Sequence, residues 1–96
     1  MPQVTTTTTL HVPSMLRGTC GGMRRIEVPG ATVLEVLEQL ERLHPELHRA
    51  ICDETGAVRQ HIGLFVNTDH VRDLAGLGTR LGSGDSITVL PAVSGG

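Results

Sequence analysis

One segment of this chain is periodic enough to fix its own secondary structure, and it constrains what the rest must do. In VLEVLEQLERLH, residues 33–44, the residues Val33, Val36, Leu37, Leu40 and Leu43 recur at three- and four-residue intervals. Glu35, Glu38, Glu41 and Arg42 fall between them. That spacing lays the apolar side chains along one face of a helix and turns the charged ones to water. Thr32 followed by Glu35 has the spacing of a capping box and marks the helix start. Pro45 either ends the helix or opens a short turn running through His48 to Ile51. A helix with a single apolar stripe needs a surface to cover it, and the flanking segments supply strands.

Those segments alternate with period two. Residues 4–12, VTTTTTLHV, combine β-branched threonines with Leu10 and Val12, and place Thr6 and Thr8 on the face of those two. They predict a first strand, followed by a loop from Pro13 to Gly22 in which Met15 and Leu16 tuck back under the sheet. Arg24 to Val28 predicts a second strand with Ile26 and Val28 inward, ended by Pro29 and Gly30. Beyond the helix, Asp53 to Gly56 is a polar turn. Gly63 to Asn67 predicts a third strand, with Leu64 and Val66 inward and Phe65 on the opposite face. The tetrad from Asn67 to His70 suits a tight turn before a short strand at Val71 and Arg72, and the glycine-rich residues 73–82 predict an irregular crossover. Gly84–Asp85 is a turn signal. Ser86 to Val93 then predicts the last strand, with Ile87 and Val89 buried and Thr88 and Leu90 outward. A hairpin, a crossover helix and a returning pair of strands describe an α+β fold, a mixed sheet with one main helix packed on one face. The strongly apolar last strand belongs at the sheet centre.

Composition removes several classes of function. Ninety-six residues make one domain, with little mass left over for the walls of a catalytic pocket. Phe65 is the only aromatic residue, so the core is aliphatic. A net charge of −2 and the lack of a basic cluster interleaved with aromatics argue against a nucleic-acid partner. No apolar run approaches a membrane span and the N-terminus is not a signal peptide, which together point to the cytoplasm. Cys20 and Cys52 lack CxxC spacing, and the two histidines four apart, His44 and His48, are separated by Pro45. The cysteines therefore read as reduced thiols, and no metal site is expected. No Ser/His/Asp or paired-carboxylate constellation stands out, so an enzyme acting alone has little support.

The block GDSITVLPAVSGG at residues 84–96, the stretch VNTDHVR at 66–72 and Leu16–Arg17, set in this order of elements, resemble the ubiquitin-like sulfur carriers of the MoaD/ThiS type. That family includes the small subunit of molybdopterin synthase and the thiamine-pathway carrier, and the likeness is greatest to the actinobacterial carriers that serve cysteine synthesis. The resemblance implies a ubiquitin-like β-grasp domain over residues 1–93 and a flexible, reactive Ser-Gly-Gly tail at 94–96. It implies that the C-terminal carboxylate of Gly96 is adenylated by an E1-like adenylyltransferase/sulfurtransferase and converted to a thiocarboxylate. The sulfur then passes to a biosynthetic acceptor enzyme, cysteine-synthase-like, thiazole-synthase-like or similar. On this reading the chain binds no cofactor, the ATP is used by the adenylating partner, and the protein is a co-substrate of other enzymes.

The residue types suit that chemistry. A carboxylate is a poor electrophile until it is activated, and a thiocarboxylate presents nucleophilic sulfur that is still covalently held. Without a Cβ, Gly95 and Gly96 can thread a narrow channel, and Ser94 adds little bulk. Pro91 fixes φ at the exit from the sheet, which would either aim the tail or simply end the strand. Leu90 and Phe65, expected outward on neighbouring strands, are candidates for the partner-binding patch. Leu90 sits where molybdopterin-type carriers place a Phe that contacts the adenylating partner. Arg17, Arg72 and Arg80 are candidates for polar rim contacts, although surface arginines are ordinarily just solvated. Two other readings share the tail: a ubiquitin-like modifier conjugated to proteins through Gly96, and a non-reactive β-grasp interaction module.

Overall fold

Aliphatic and β-branched residues at alternate positions build the sheet, and a computed structural model describes it over residues 7–91. Strand β1 (Thr7–His11) and strand β2 (Arg25–Pro29) are followed by helix α1 (Val33–Leu43) and helix α2 (Pro45–Ile51). Strands β3 (Ile62–Val66), β4 (Asp69–His70) and β5 (Ser86–Pro91) complete the described chain. The strand order is β2-β1-β5-β3-β4. β1 and β5 run parallel, and the other neighbours are antiparallel. The first and last strands thus lie side by side with their C-terminal ends at the same edge of the sheet, and β5 is central.

Period-two alternation decides which residues fill the core. Thr8, Leu10, Ile26, Val28, Leu64, Val66, Ile87 and Val89 are all buried, as their spacing predicts. Residues 4–6, Ala92 and Val93 lie outside the described residues. From the other side, Val33, Val36, Leu37 and Leu40 of α1 and Leu47 and Ile51 of α2 close over the sheet. Full burial of each such side chain contributes about 1.5–3 kcal/mol.

The cap of α1 differs from a simple capping box. The Oγ1 of Thr32 accepts the amide of Glu35 at 3.2 Å, but the Glu35 carboxylate accepts the amide of Ala31 at 3.0 Å, one residue further back. Leu43, expected on the buried stripe, is half exposed. Each three-residue step falls about 60° short of a full turn, so Leu43, two such steps beyond Leu37, drifts off the stripe just as the helix ends. Pro45 does not merely end α1. It occupies the first turn of α2, where its missing N–H is harmless.

Two connections depart from the sequence expectation. Residues Ser14–Cys20 wind into 3-10 turns instead of an open loop. That winding partly buries Leu16 and fully buries Cys20, while Met15 is turned out to solvent, 68% exposed. The short strand is Asp69–His70, and Val71–Asp73 is already a 3-10 turn. Asn67 takes a left-handed φ of 56°, which closes the hairpin in two residues and starts the pairing at Val66–Asp69. Residues 73–82 are the irregular crossover that their glycines predict, with one short 3-10 turn at Gly76–Gly78.

Candidate functional site

The site is defined by where β5 leads. Its first residues are pinned at the opposite end of the sheet from its exit. There Asn67 donates from Nδ2 to Asp85 Oδ1 at 3.1 Å and accepts the amide of Ser86 at 3.2 Å. The other oxygen of Asp85 accepts the amide of Gly82 at 2.8 Å. These bonds hold the Asp85 carboxyl below the usual range, the amide of Gly82 contributing most and the side chain of Asn67 next. Gly84, with φ of 89°, makes the turn that precedes the strand. From that anchor β5 runs between two neighbours, and Pro91 pairs with Ile62 at the far edge. Ser94, Gly95 and Gly96, the candidate tail, lie outside the described residues.

The face of the sheet turned away from the helices carries one continuous cross-strand row. Arg25, His11, Thr88, Phe65 and His70 are successive partners on β2, β1, β5, β3 and β4. Leu90 lies one step nearer the exit, opposite Gly63. Leu90 is 47% exposed, as its outward position predicts. Phe65 is on the same face but half-buried. Its ring meets the imidazole of His70 edge-on, with centroids 4.9 Å apart. The ring also leans over Gly63, where a Cβ would sit only 3.3 Å from the Phe65 Cε1 atom. The absent side chain at Gly63 is thus the space into which Phe65 folds, and it brings the ring toward Leu90, its diagonal neighbour.

His70 and Gly63 belong to this patch and are not evident from the sequence. His70 Nδ1 accepts the amide of Arg72 at 3.1 Å, so in this arrangement the ring proton is on Nε2. The signal that could have located His70 is the two-residue turn at Asn67 and Thr68, which sets Phe65 opposite it. Of the candidate rim arginines, Arg17 lies at the exit edge, its Nε donating to the carbonyl of Val12 just past β1 at 3.1 Å. Arg80 bridges to Thr32 beside the start of α1, at the end of the molecule away from the exit.

Both cysteines are buried free thiols. The thiol of Cys52 is pushed up to about 11 by burial, with the nearby Asp53 carboxylate adding to the effect. A protonated thiol is a weak nucleophile and a poor metal ligand. A groove of about 1020 Å³ on the helix side is lined by Leu34, Glu38, Glu41, Arg49, Cys52 and Arg59 among others. It mixes both signs of charge and faces away from the exit row. Among the described residues no three His, Cys, Asp or Glu side chains converge as metal ligands, and no helix is long and apolar enough to cross a membrane.

A mixed five-stranded sheet with its helices on one face, and with the last strand central and parallel to the first, defines a ubiquitin-like β-grasp protein. The profile of the ThiS family matches residues 20–96, and the chain belongs to that family. It is 33% identical over 90 residues to the sulfur carrier protein CysO of Mycobacterium tuberculosis, an alignment spanning 92% of this chain and 97% of that protein. It is 34% identical over 73 residues to small archaeal modifier protein 1 of Haloferax volcanii, spanning 75% of this chain and 79% of that one. The crystal structure of the Amycolatopsis orientalis BexX/CysO complex contains a chain that superposes with a TM-score of 0.82 at 36% identity, covering 93% of this chain and 99% of that one.

Proposed function

We propose that the chain is a sulfur carrier that works through the C-terminal carboxylate of Gly96. The observation that carries this reading is a central, pinned strand β5 with an exposed Leu90 near its end, in a ThiS-family chain similar to a sulfur carrier protein, whose sequence continues from that strand to Gly95 and Gly96. An E1-like partner adenylates the Gly96 carboxylate with ATP, and a sulfur donor displaces AMP to leave the thiocarboxylate. The reacting carbon belongs to this chain, and the groups that handle ATP belong to the partner. Leu90, with Phe65 braced behind it, is the contact that seats the partner. A second protein then receives the sulfur, and the likeness to a carrier solved in complex with BexX supports such pairwise handover. The resemblance to the actinobacterial carriers favours a cysteine-synthase-like acceptor in the cytoplasm.

Co-expression with a competent adenylating enzyme and a sulfur donor tests the reading by intact mass. Exchange of one oxygen for sulfur is expected, and one extra residue after Gly96 should abolish it. An unchanged mass would count heavily against the carrier reading. The likeness to a small archaeal modifier protein supports a second reading, conjugation of the same activated Gly96 to protein lysines. Adducts joined through a Gly96 isopeptide would favour it. Full activity after removal of Gly95 and Gly96 would instead leave a non-reactive interaction module.

A further inference from the structure

All eight basic residues in the 96-residue sequence are arginine, and there is no lysine. Their placement makes this relevant to the tail. Because β1 and β5 are parallel, the C-terminal end of β1 lies at the same edge from which Pro91 leads to the tail. Three arginines are placed at that edge. Arg25 pairs with His11 at the end of β1. The carbonyl of Arg24 accepts the amide of Val12 at 2.8 Å, and Arg17 is bonded to the carbonyl of the same residue. Arg24 and Arg25 are exposed. Each of these positions at the edge reached by Pro91 carries a guanidinium where a lysine would offer an amine.

The chemical difference is large. A guanidinium stays protonated in proteins and has no lone pair to offer an acyl carbon. A lysine amine has an ordinary pKa of about 10.4, so on the order of a thousandth of it is the free nucleophile near neutral pH. Thiols are the other strong nucleophiles, and both are buried here. We infer that this chain is a donor only: an acyl group activated at Gly96 has no competent side-chain acceptor on its own chain or on another copy. It therefore cannot form side-chain-linked chains of itself, and its side chains leave the acyl group to an external nucleophile, sulfur or a foreign amine. The arginines retain positive charge at the exit edge without consuming the product. This rests on the proposal that Gly96 becomes an acylating group.

The test installs that group without any partner enzyme, so its outcome is separate from whether a partner adenylates Gly96. The full chain is prepared with its α-amino group acetylated and Gly96 as a thioester by thiol cleavage of an intein fusion. It is then incubated at mildly alkaline pH and followed by denaturing electrophoresis and intact mass. The wild-type chain is expected to remain a single chain, losing its thioester only to hydrolysis. In an Arg24→Lys/Arg25→Lys chain the lysine amine attacks the thioester carbonyl, the small thiolate leaves, the nitrogen gives its proton to water, and an amide forms. That variant is expected to shift from the single-chain band to amide-linked dimers or internally closed chains. Wild-type adducts through any side chain, cysteines included, would overturn the inference. So would a lysine variant that stays as unreactive as the wild type.

Discussion

At the scale of single residues, the sheet and its turns carry their stresses at named atoms. Thr8 is fully buried on the core face of β1, and its hydroxyl has no hydrogen-bond partner among the described residues. An unpaired buried hydroxyl is destabilising by about 1–3 kcal/mol, so Thr8→Val should raise the unfolding free energy in a denaturant titration by roughly 1 kcal/mol after repacking. Gly30 is held so close to α1 that an added Cβ would lie 2.7 Å from the amide nitrogen of Val36. Gly30→Ala should therefore lower stability by about 1–3 kcal/mol in the same unfolding assay. Asp53 and Asp85 both have carboxyls held below their ordinary range, Asp53 mainly by the side chain and amide of Thr55. A depressed carboxyl stabilises the fold above its unfolded pKa, and that contribution is lost as pH falls through the folded pKa. Urea midpoints measured across the acid range should decline more steeply for the wild type than for an Asp53→Asn/Asp85→Asn chain. Thr8 was legible in the sequence as a core-facing residue by alternation. Its unpaired hydroxyl was not, because hydrogen-bond satisfaction depends on strands far away in the chain.

At the scale of elements, periodicity located α1 and most of the strands, because each has one buried face and a repeat that matches its geometry. The misplacements fall where no repeat exists. Leu43 is the last member of a helical stripe that drifts off its axis. Met15 lies in 3-10 turns, whose winding a loop reading does not foresee. The β4 strand shifted by two residues because a left-handed Asn67 shortened the turn. The candidate patch shows the same division. Leu90 and Phe65 were placed on the outer face by alternation, whereas His70 and Gly63 join them only through cross-strand pairing. This assigns distinct roles to the patch residues. Leu90→Asp is expected to leave the unfolding midpoint nearly unchanged while lowering loading by the adenylating partner by roughly tenfold or more, the behaviour of an interface anchor worth about 1.4 kcal/mol. His70→Ala should produce a smaller loss, because it frees the Phe65 ring without removing the anchor. Equal unfolding losses in both variants would instead make the patch structural.

At the scale of the whole molecule, the fold carries its last described strand through the centre of the sheet. Strand β5 is pinned by Asn67 and Asp85 at one edge of the sheet and reaches Pro91 at the other, with the largely half-buried row of the outer face and the exposed Leu90 beside that end. The helices and the groove they border lie on the opposite side, where the thiol of Cys52 is kept protonated. The central place of β5 followed from its apolar sequence and the element order. The edge at which it exits, and the arginines gathered there, follow from its parallel pairing with β1, which no local pattern encodes. If Gly96 is the working group, sulfur acquired in the presence of ATP, a competent adenylating partner and a sulfur donor must sit on the terminal carbonyl. Fragment-ion mass spectrometry of the loaded chain locates it directly. Sulfur replacing an oxygen on the fragment that ends in Gly96 is the expected result, and sulfur added instead to Cys20 or Cys52 as a persulfide, with the terminal fragment unchanged, would contradict it.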